Sequence, residues 1–391
     1  MYDSPMARQD VSDAEALAAT HGEVDPDQAV PLPRIASLTE FEALARTRLM
    51  RMIYDSVAGG AGNEMTLRAN LQAWDRLPLR PRILVDVSKI DTRVHLFNQE
   101  LDHPILLAPT AYHCLYHPEG ELETARGAAN SHSTLVASSY ATTSIEEMAR
   151  VASASLWFQL YVERDREFTK DLVRRAEEAG CQALCVTVDQ PLRGYRDRDI
   201  RNAFALPPGL ERANLRGLGE PMSRQVLVSD GIYSAAHDPT LTGRDLEWLR
   251  GIARIPLLVK GIVTPEAADE AIRAGVAGLI VSNHGGRSLD TVPATAEVLP
   301  MIADQVAGRV PLLVDGGIRR GTDVLKALGM GAQAVLIGRP YVYALVVAGA
   351  TGISRVIDIL TTELKMAMAM SGRPTIASIG RDVIWTGLSY P

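Results

Sequence analysis

The stretch "AGLIVSNHGGRSLD", residues 277–290, joins a short apolar run to an Asn, a His, two Gly and an Arg. The apolar run has the length and composition of a buried strand. An ordinary polar turn usually follows such a strand, but this one ends in groups that carry charge or exchange protons. In α/β folds the functional site lies where the strands end, so the pattern indicates a site if other strands of the chain end in the same way.

Short apolar runs recur from residue 104 onward. In chain order they are "PILLAP" (104–109), "TLVAS" (134–138), "LWFQLY" (156–161), "ALCVTVD" (183–189), "PLLVK" (256–260), "AGLIVS" (277–282), "PLLVD" (311–315) and "AVLIG" (334–338). The segments between them place apolar residues at i, i+3 and i+4, and several end in Gly, a common helix C-cap. Eight strands alternating with helices predict an α/β fold, a (β/α)8 TIM barrel, with a doubly wound open sheet as the competing architecture.

Three further segments flank or interrupt this repeat. Residues 1–35 are acidic and polar with little periodicity, and we predict a mobile N-terminal tail there. The barrel domain follows over residues 36–391 and opens with a helical extension, because Ser37 and Glu40 have the spacing of a capping box. Residues 190–245, between the fourth and fifth strands, are rich in Gly, Pro and charge, and we predict an active-site loop or lid there.

Composition narrows the class of protein. The 391 residues are 47% apolar and 22% charged, as in a soluble globular protein. The net charge of −7 argues against a nucleic-acid partner, and no stretch approaches the roughly 20 uninterrupted apolar residues of a membrane helix. The N-terminus lacks a secretory pattern, "LSYP" at the C-terminus is not a peroxisomal signal, and three cysteines suit a reducing compartment. We therefore expect a cytoplasmic protein with no membrane partner.

Polar side chains follow every predicted strand. The candidates are Thr110, Ser138, Gln159, Tyr161, Thr187, Asp189, Arg196, Lys260, Ser282, His284, Arg287, Asp315, Arg319 and Arg339. In a barrel all strand ends lie at one rim, so we expect these side chains to converge. We predict no metal site, because Cys181 and Cys185 have no second Cys or His pair nearby.

The last two strands are followed by "DGGIRRG" (315–321) and "GRP" (338–340). Barrels commonly hold a phosphate after their seventh and eighth strands, and these turns supply glycines for close approach as well as Arg319 and Arg339. "GMGAQA" (329–334) matches a loose dinucleotide pattern, but it precedes its strand, so that interpretation fails on context. A phosphate site without a dinucleotide fingerprint suits FMN better than NAD.

Together these residues resemble the FMN-dependent 2-hydroxy-acid oxidase and dehydrogenase family, whose best-known member is glycolate oxidase. The resemblance runs from about residue 37 to the C-terminus. It rests on "SNHGGRSLD", "DGGIRRGTDV", "APTA" with "HPEGE", and "TVD", which match the family's motifs in order and spacing.

The resemblance implies four catalytic residues. His284 is expected to take the proton from the substrate hydroxyl, while Asp189 orients the imidazole and stabilises its charged form. Tyr161 is expected to hydrogen-bond the substrate oxygen. Lys260 is expected near the flavin N1–C2 carbonyl edge, where it stabilises negative charge on reduced FMN.

The resemblance also implies how the substrate is bound. Arg287 and Tyr54 are expected to bind the substrate carboxylate, with Arg196 adding to that contact, since a planar guanidinium suits a carboxylate. Tyr140 stands where glycolate oxidase has Trp and lactate oxidases have Tyr, which favours a small acid such as lactate, while aryl acids such as mandelate stay open. Ala111 stands where lactate monooxygenases have Gly, and alanine there goes with release of the oxo acid and hydrogen peroxide.

The implied FMN contacts are of three kinds. Hydrogen bonds to the isoalloxazine are expected from Thr110, Ser138, Gln159 and Thr187; further contacts from Pro109, Ala111, Lys260 and Ser282; and contacts to the ribityl chain and phosphate from Asp315, Gly317, Arg319, Gly338 and Arg339.

The resulting hypothesis is an FMN enzyme that oxidises an (S)-2-hydroxy acid to the 2-oxo acid. Proton removal by His284 is coupled to hydride transfer to flavin N5, and dioxygen reoxidises the flavin to give hydrogen peroxide. One alternative is a dehydrogenase that passes electrons to a quinone or a protein. Another is a non-redox FMN barrel such as an isopentenyl diphosphate isomerase, which should not need His284, Arg287 and Tyr54 together. A third is a catalytically silent flavin-binding protein. The family suggests a homotetramer.

Overall fold

Eight parallel strands close into a barrel in the computed structural model of this chain, which describes residues 32–153, 155–218 and 238–385. The predicted (β/α)8 barrel is therefore confirmed, and the open sheet is excluded. All eight predicted apolar runs form the barrel strands, because each run is long enough to cross the barrel once and too short for a helix of ordinary length.

The chain divides into two compact units, Met1–Ile35 and Ala36–Pro391. The described part of the first unit contains one turn of 3-10 helix at Leu32–Arg34. The predicted mobile tail covers residues 1–35, of which residues 1–31 lie outside the described part of the chain. The second unit contains the barrel.

The strands form one hairpin and one closed sheet. They are β1 (Val94–Leu96), β2 (Gln99–Leu101), β3 (Ile105–Leu107), β4 (Leu135–Ser138), β5 (Leu156–Leu160), β6 (Leu184–Thr187), β7 (Leu257–Ile262), β8 (Gly278–Val281), β9 (Leu312–Asp315) and β10 (Ala334–Ile337). β1 and β2 pair antiparallel as the hairpin. β3 to β10 follow one another around the barrel, and β10 pairs with β3 to close it.

Three helices precede the barrel, and the others alternate with its strands. They are α1 (Leu38–Arg48), α2 (Arg51–Ala58), α3 (Met65–Asp75), α4 (Gly120–Asn130), α5 (Ile145–Val151), α6 (Arg166–Glu178), α7 (Asp197–Arg201), α8 (Gly243–Ile252), α9 (Pro265–Arg273), α10 (Thr295–Val306), α11 (Gly321–Gly329) and α12 (Arg339–Met370).

Capping residues set several of these helix starts. At α5 the Ser144 hydroxyl accepts a hydrogen bond from the Glu147 amide, and the Glu147 carboxylate accepts one from the Ser144 amide, which completes a capping box. The capping box predicted at Ser37 does not form, although α1 begins where expected. Instead the Glu40 carboxylate accepts from the Ser37 hydroxyl at 2.8 Å and from the Ala36 amide at 3.2 Å.

Inward-facing apolar side chains fill the barrel interior. The buried cluster includes Leu106, Val136, Trp157, Cys185, Leu258, Ile280, Leu313 and Leu336, one from each barrel strand. The β1–β2 hairpin was not predicted from the sequence. Its turn residue Phe97 packs edge-on against Trp157, with ring centroids 5.6 Å apart, and lies against Gly278 at the start of β8. The hairpin therefore closes the amino-terminal end of the barrel, opposite the polar strand ends.

The helical extension covers part of the carboxyl-terminal rim. The Trp74 indole N–H of α3 donates to the Gly316 carbonyl at 2.8 Å. The Ala61 amide, in the loop between α2 and α3, donates to the Gly286 carbonyl at 2.8 Å. The loop therefore lies over the turn that follows β8, and α3 lies over the turn that follows β9, both next to the predicted site.

The long segment after β6 is described in two parts that flank residues 219–237. Its helix α7 packs on α2, where the Asn202 amide donates to the Asp55 carboxylate at 2.9 Å. Arg198 forms an ion pair with Glu64 at 2.6 Å. The central part of the predicted lid lies outside the described residues, so a lid function stays a prediction.

Helix α12 is long and apolar enough, by length and composition alone, to cross a membrane. In this fold 56% of its most apolar window is buried inside the protein. Its backbone also leaves helical geometry at Ala348 and Gly349, so it consists of two helices that meet at a kink. Both features are typical of a core helix, and the expected absence of a membrane partner stays a prediction.

Candidate active site

The fold brings His284 and Asp189 together from two different strand ends. Nδ1 of His284 lies 3.0 Å from Oδ1 of Asp189. His284 has a left-handed backbone, with φ +58°, and its amide donates to the Ser282 hydroxyl, which fixes the turn after β8. Strand β7 lies between the two residues and has a register irregularity at Gly261, where φ is +115°. A Cβ on Gly261 would lie 2.6 Å from the Asp189 Cβ, so a glycine makes room for the carboxylate.

Burial and charge set the protonation of this pair. Burial lowers the pKa of His284, as do the nearby Lys260 and Arg287 cations, while Asp189 opposes the shift. Burial raises the pKa of Asp189, but its interaction with His284, which includes a hydrogen bond, and the charge of Lys260 outweigh it, so the net shift is downward. The site therefore holds a neutral imidazole against an ionised carboxylate, which is the arrangement that a general base requires.

Lys260 is the central cation of the rim. Its Nζ donates to the Ser282 hydroxyl at 2.8 Å and lies 3.1 Å from the Asp315 carboxylate. Burial alone would lower the pKa of Lys260, but Asp315 and Asp189 raise it, so the ammonium stays charged. Oδ1 of Asp315 is buried and has no hydrogen-bond partner among the described residues.

Two further arginines belong to this region, since Arg287 acts on the pKa of His284 and Arg196 acts on that of Tyr161. Arg287 donates through Nη1 to the carbonyls of Ser56, at 2.7 Å, and Gly59, at 3.0 Å. Burial lowers the pKa of Arg196 to about 9, with help from the charges of Arg287 and Arg193. Nε of Arg196 lies 3.3 Å from the Asp199 carboxylate. This excess of positive charge suits an anionic ligand.

Two tyrosines line the same region. The Tyr161 hydroxyl donates to Oε1 of Gln190 at 3.1 Å. Burial and the charge of Asp189 raise the pKa of Tyr161, while the charges of Arg196 and Arg287 oppose the shift. Because these charges act on it, the Tyr161 hydroxyl belongs to the group of predicted catalytic side chains. The ring of Tyr140 lies 4.8 Å from that of Tyr161, centroid to centroid.

The structure does not bring Tyr54 into this group, and its contact with the substrate carboxylate stays a prediction. Its hydroxyl donates to the Glu42 carboxylate of α1 at 3.3 Å, and its ring lies 6.2 Å from that of Tyr343. The charged groups that affect its pKa are Glu42, Arg46 and Arg198, none of which belongs to the set around Arg287. The residue that touches Arg287 from this helix is Ser56, and it does so through its carbonyl.

A row of polar side chains crosses three neighbouring strand ends. The Ser138 hydroxyl donates to Oε1 of Gln159 at 3.2 Å, and Nε2 of Gln159 donates to the Thr187 hydroxyl at 3.1 Å. All three are buried. Pro109, Thr110 and Ala111 follow β3 and are half-buried. The Thr110 hydroxyl contacts both His113 and Tyr341.

Arg319 and Arg339 meet near Tyr343, after the last two strands. Burial lowers the pKa of Arg339 to about 10, and Arg319 is among the cations that add to this shift. Within the described ranges neither arginine has an ion pair, and the buried Tyr343 hydroxyl has no hydrogen-bond partner. Arg339 also donates to the carbonyls of Val57, Gly59 and Gly285, so it is held by the helical extension as well.

The two predicted cofactor glycines differ. Gly317 has φ +84°, and a Cβ there would lie 1.9 Å from the Asn70 carbonyl oxygen of α3. The structure thus gives this glycine a packing reason, and its contact with the cofactor stays a prediction. At Gly338 the nearest atoms to an added Cβ are those of Thr110, at 3.7 Å, and Ala108, at 3.9 Å. The protein leaves space beside Gly338.

Comparison with known proteins identifies the family. The profile of the family described as FMN-dependent dehydrogenase matches residues 45–386. This chain belongs to that family. It is 47% identical over 343 residues to an L-lactate oxidase of a Nostoc species, covering 86% of this chain and 94% of that one. It is 45% identical over 360 residues to a peroxisomal (S)-2-hydroxyacid oxidase of Arabidopsis thaliana, covering 91% and 98%.

Solved structures of similar proteins share the fold. A mandelate oxidase crystallised with (S)-2-phenylpropionate superposes with a TM-score of 0.81 at 39% identity, covering 90% of this chain and 98% of that one. A structure named as a (putative) lactate oxidase of Pediococcus acidilactici superposes with a TM-score of 0.85 at 36% identity, covering 91% of this chain and 96% of that one. The resemblance to 2-hydroxy-acid oxidases is thereby confirmed, and FMN is the cofactor of the family.

The residues present fit FMN. The open space at Gly338, the unpaired cations Arg319 and Arg339, and the partnerless Tyr343 hydroxyl form a place for a phosphate. The row from Ser138 to Thr187 offers donors and acceptors to a flat heterocycle. Among the described residues no cluster of His, Cys, Asp or Glu is arranged to hold a metal ion.

The structure also places residues at the site that the sequence did not single out. Burial raises the pKa of Tyr116 to about 12, and the charges of Arg287 and Arg196 oppose this shift. Tyr112, Arg212 and Glu163 gather beside Tyr140. A partial signal was available for Tyr112 and Tyr116, because they lie just after the first barrel strand. Arg212 had none, since it lies in the long segment after β6, which has no periodic pattern.

Proposed function

We propose that this protein oxidises an (S)-2-hydroxy acid to the corresponding 2-oxo acid with FMN. The observation that carries the proposal is the His284–Asp189 pair, a neutral buried base 3.0 Å from its carboxylate, in a region rich in unneutralised arginine. The relatives named as lactate, mandelate and (S)-2-hydroxyacid oxidases support the same reaction class. FMN, when bound, supplies the acceptor for the two electrons that leave the substrate carbon.

His284 removes the substrate hydroxyl proton. Its Nδ1 faces Asp189, so Nε2 is the nitrogen that accepts the proton. As the imidazole becomes cationic, the ionised Asp189 stabilises it and holds the ring orientation. Lys260 places a fixed positive charge at the rim, where it would stabilise the negative charge that bound FMN gains with the substrate electrons.

Arginines position the substrate. Arg287 contacts the described part of the protein through Nη1, and its other nitrogens, together with Arg196, offer donors to the substrate carboxylate. The charges of both arginines and of Asp189 act on Tyr161, which places it beside them. Its hydroxyl can therefore hydrogen-bond the substrate oxygen that His284 deprotonates. Carboxylate and hydroxyl are thus bound by separate groups, which orients the carbon that is oxidised.

Several further features belong to the proposal. Dioxygen is the proposed final acceptor, giving hydrogen peroxide, and a dehydrogenase that uses a quinone or a protein is the alternative. The family resemblance is the support for a homotetramer. Three free cysteines, of which Cys181 and Cys185 are buried, support a cytoplasmic location.

Anaerobic bleaching of the bound flavin by a panel of 2-hydroxy acids tests the function. Bleaching by at least one acid is expected, followed by fast recovery when air is admitted. Recovery that is slow in air but fast with a quinone would establish the dehydrogenase instead. His284→Ala should nearly abolish bleaching while keeping FMN. Bleaching at near wild-type rate in that variant removes the assigned base, and no bleaching of the wild type by any acid favours the non-redox barrel.

A further inference from the structure

Arg212 has a fixed position beside the substrate region. It lies in the long segment after β6, and that segment is attached to the turn after β4 by backbone and side-chain bonds. The Ala213 amide donates to the Ala141 carbonyl at 3.0 Å, and the Ile145 amide donates to Oδ1 of Asn214 at 2.8 Å. Asn214 is fully buried. The residue next to Arg212 is therefore anchored to the barrel rim, which limits where the guanidinium can go.

The guanidinium of Arg212 stacks on the ring of Tyr140. Its Cζ lies 4.1 Å from the ring centroid, and its Nε donates to the Tyr112 hydroxyl at 2.9 Å. Within the described part of the chain Arg212 has no ion pair, so its charge is not neutralised by a neighbouring carboxylate.

Glu163 is a carboxyl group that interacts electrostatically with Arg212, and it is buried to 1% exposure. Its Oε1 has no hydrogen-bond partner among the described residues. Burial raises the pKa of Glu163 to about 8, and the opposing effect of Arg212 is smaller. At neutral pH Glu163 is therefore largely a neutral acid, which leaves the Arg212 charge in place and can itself donate a hydrogen bond.

These groups adjoin the catalytic residues through Tyr140. Its ring lies 4.8 Å from that of Tyr161, and Arg212 stacks on the same ring. Tyr112 belongs to both groups, because it affects the pKa of Tyr161 and bonds to Arg212. The Tyr140 ring is thus in contact with both the predicted catalytic Tyr161 and the cation of Arg212.

We propose that the substrate is a 2-hydroxy acid with a second carboxylate, which Arg212 binds, with a hydrogen bond from Glu163. The proposal rests on the proposed function and names its substrate class. Arg287 and Arg196 bind the carboxylate next to the reacting carbon, and Arg212 binds the distal one. Tyr140 and Tyr112 hold the Arg212 side chain in place, so little rotamer freedom is lost on binding.

The test compares substrates that differ at the distal group alone. The probes are (S)-malate and its 4-amide, the five-carbon pair (S)-2-hydroxyglutarate and its 5-amide, and L-lactate, each used to reduce the FMN of the holoenzyme anaerobically. The expected kcat/KM is about tenfold or more higher for at least one dicarboxylate than for its amide, because a charge-assisted contact is lost in the amide.

Variants then locate the effect. Arg212→Gln should lower the ratio of kcat/KM for dicarboxylate to amide by about tenfold or more. Arg216→Gln is the matched control, since Arg216 lies on the same segment, is exposed and pairs with Glu211. That variant should leave the ratio unchanged. Dissociation constants of oxaloacetate and 2-oxobutanoate, measured from the flavin spectrum, should show the same loss of preference in Arg212→Gln.

Three outcomes overturn the proposal. The first is equal kcat/KM for each dicarboxylate and its amide in the wild type, with L-lactate still reducing the flavin. The second is a ratio that Arg212→Gln does not change. The third is a preference for 4-hydroxymandelate over mandelate without any gain from a second carboxylate, which would assign Arg212 to a phenol. Failure of every hydroxy acid, L-lactate included, would instead refute the proposed function and this substrate class with it.

Discussion

Oδ1 of Asp189 lies 3.0 Å from Nδ1 of His284 across a strand that belongs to neither residue. The carboxylate follows β6 and the imidazole follows β8, and the intervening β7 shifts its register at Gly261 to admit the carboxylate. The pair therefore depends on the geometry of three strand ends. Asp189 has a second oxygen, Oδ2, that is buried without a partner among the described residues, so His284 is the main group that satisfies this carboxylate.

Replacing Asp189 by Asn should slow anaerobic flavin reduction by about a hundredfold or more. The amide keeps the shape of the carboxylate but carries no charge, so it cannot stabilise the imidazolium that forms when His284 takes the proton. Stopped-flow bleaching with the best acid of the panel measures the effect. Asp197→Asn, on α7 in the segment after β6, is the control, because Asp197 pairs with Arg201 at the surface and should leave the rate nearly unchanged. A rate within threefold of wild type in Asp189→Asn, with FMN bound, would contradict the role of Asp189.

The acid limb of kcat/KM should respond to Asp189 in a definite direction. The neutral form of His284 is the base, so activity is lost as pH falls through its pKa. Burial sets that pKa below the ordinary value of 6.5, while Asp189 raises it. Asp189→Asn should therefore move the acid limb to lower pH and reduce the plateau. A limb that stays in place while the plateau falls would mean that Asp189 acts by orientation alone.

The eight barrel strands could be predicted because each one is a short apolar run bounded by breakers. The convergence of the polar residues that follow the strands could also be predicted, since all strands of a parallel barrel end at the same rim. His284, Asp189, Lys260 and Arg287 meet as expected. The β1–β2 hairpin escaped prediction, because its two strands have three residues each and give no usable alternation.

Side-chain direction on a helix was harder to predict than position on a strand. Tyr54 lies on α2 close to the site, but it turns towards Glu42 of α1, and sequence spacing does not reveal which helix face meets the rim. Arg212 was missed for another reason. It reaches Tyr140 only because Asn214 anchors a long irregular segment to the barrel, a contact between residues far apart in sequence.

Gly317 and Gly338 should respond in opposite ways to alanine. Gly317→Ala should destabilise the protein by roughly 2–5 kcal/mol, because φ is +84° and the new Cβ would overlap the Asn70 carbonyl. Gly338→Ala should leave stability without FMN nearly unchanged, because the nearest atom, in Thr110, is 3.7 Å away. Thermal unfolding of both variants without added FMN measures the difference.

Added FMN separates a packing glycine from a cofactor glycine. At a fixed concentration, a ligand raises the unfolding temperature more the more tightly it binds the folded state. The Gly338→Ala methyl group would occupy part of the open space that, together with Arg319 and Arg339, is proposed to take the FMN phosphate. The FMN-dependent rise should therefore shrink markedly although the starting temperature does not. In Gly317→Ala the starting temperature should fall and the rise with FMN should persist. The reverse pattern would mean that the space at Gly338 is not used by FMN and that Gly317 faces the cofactor after all.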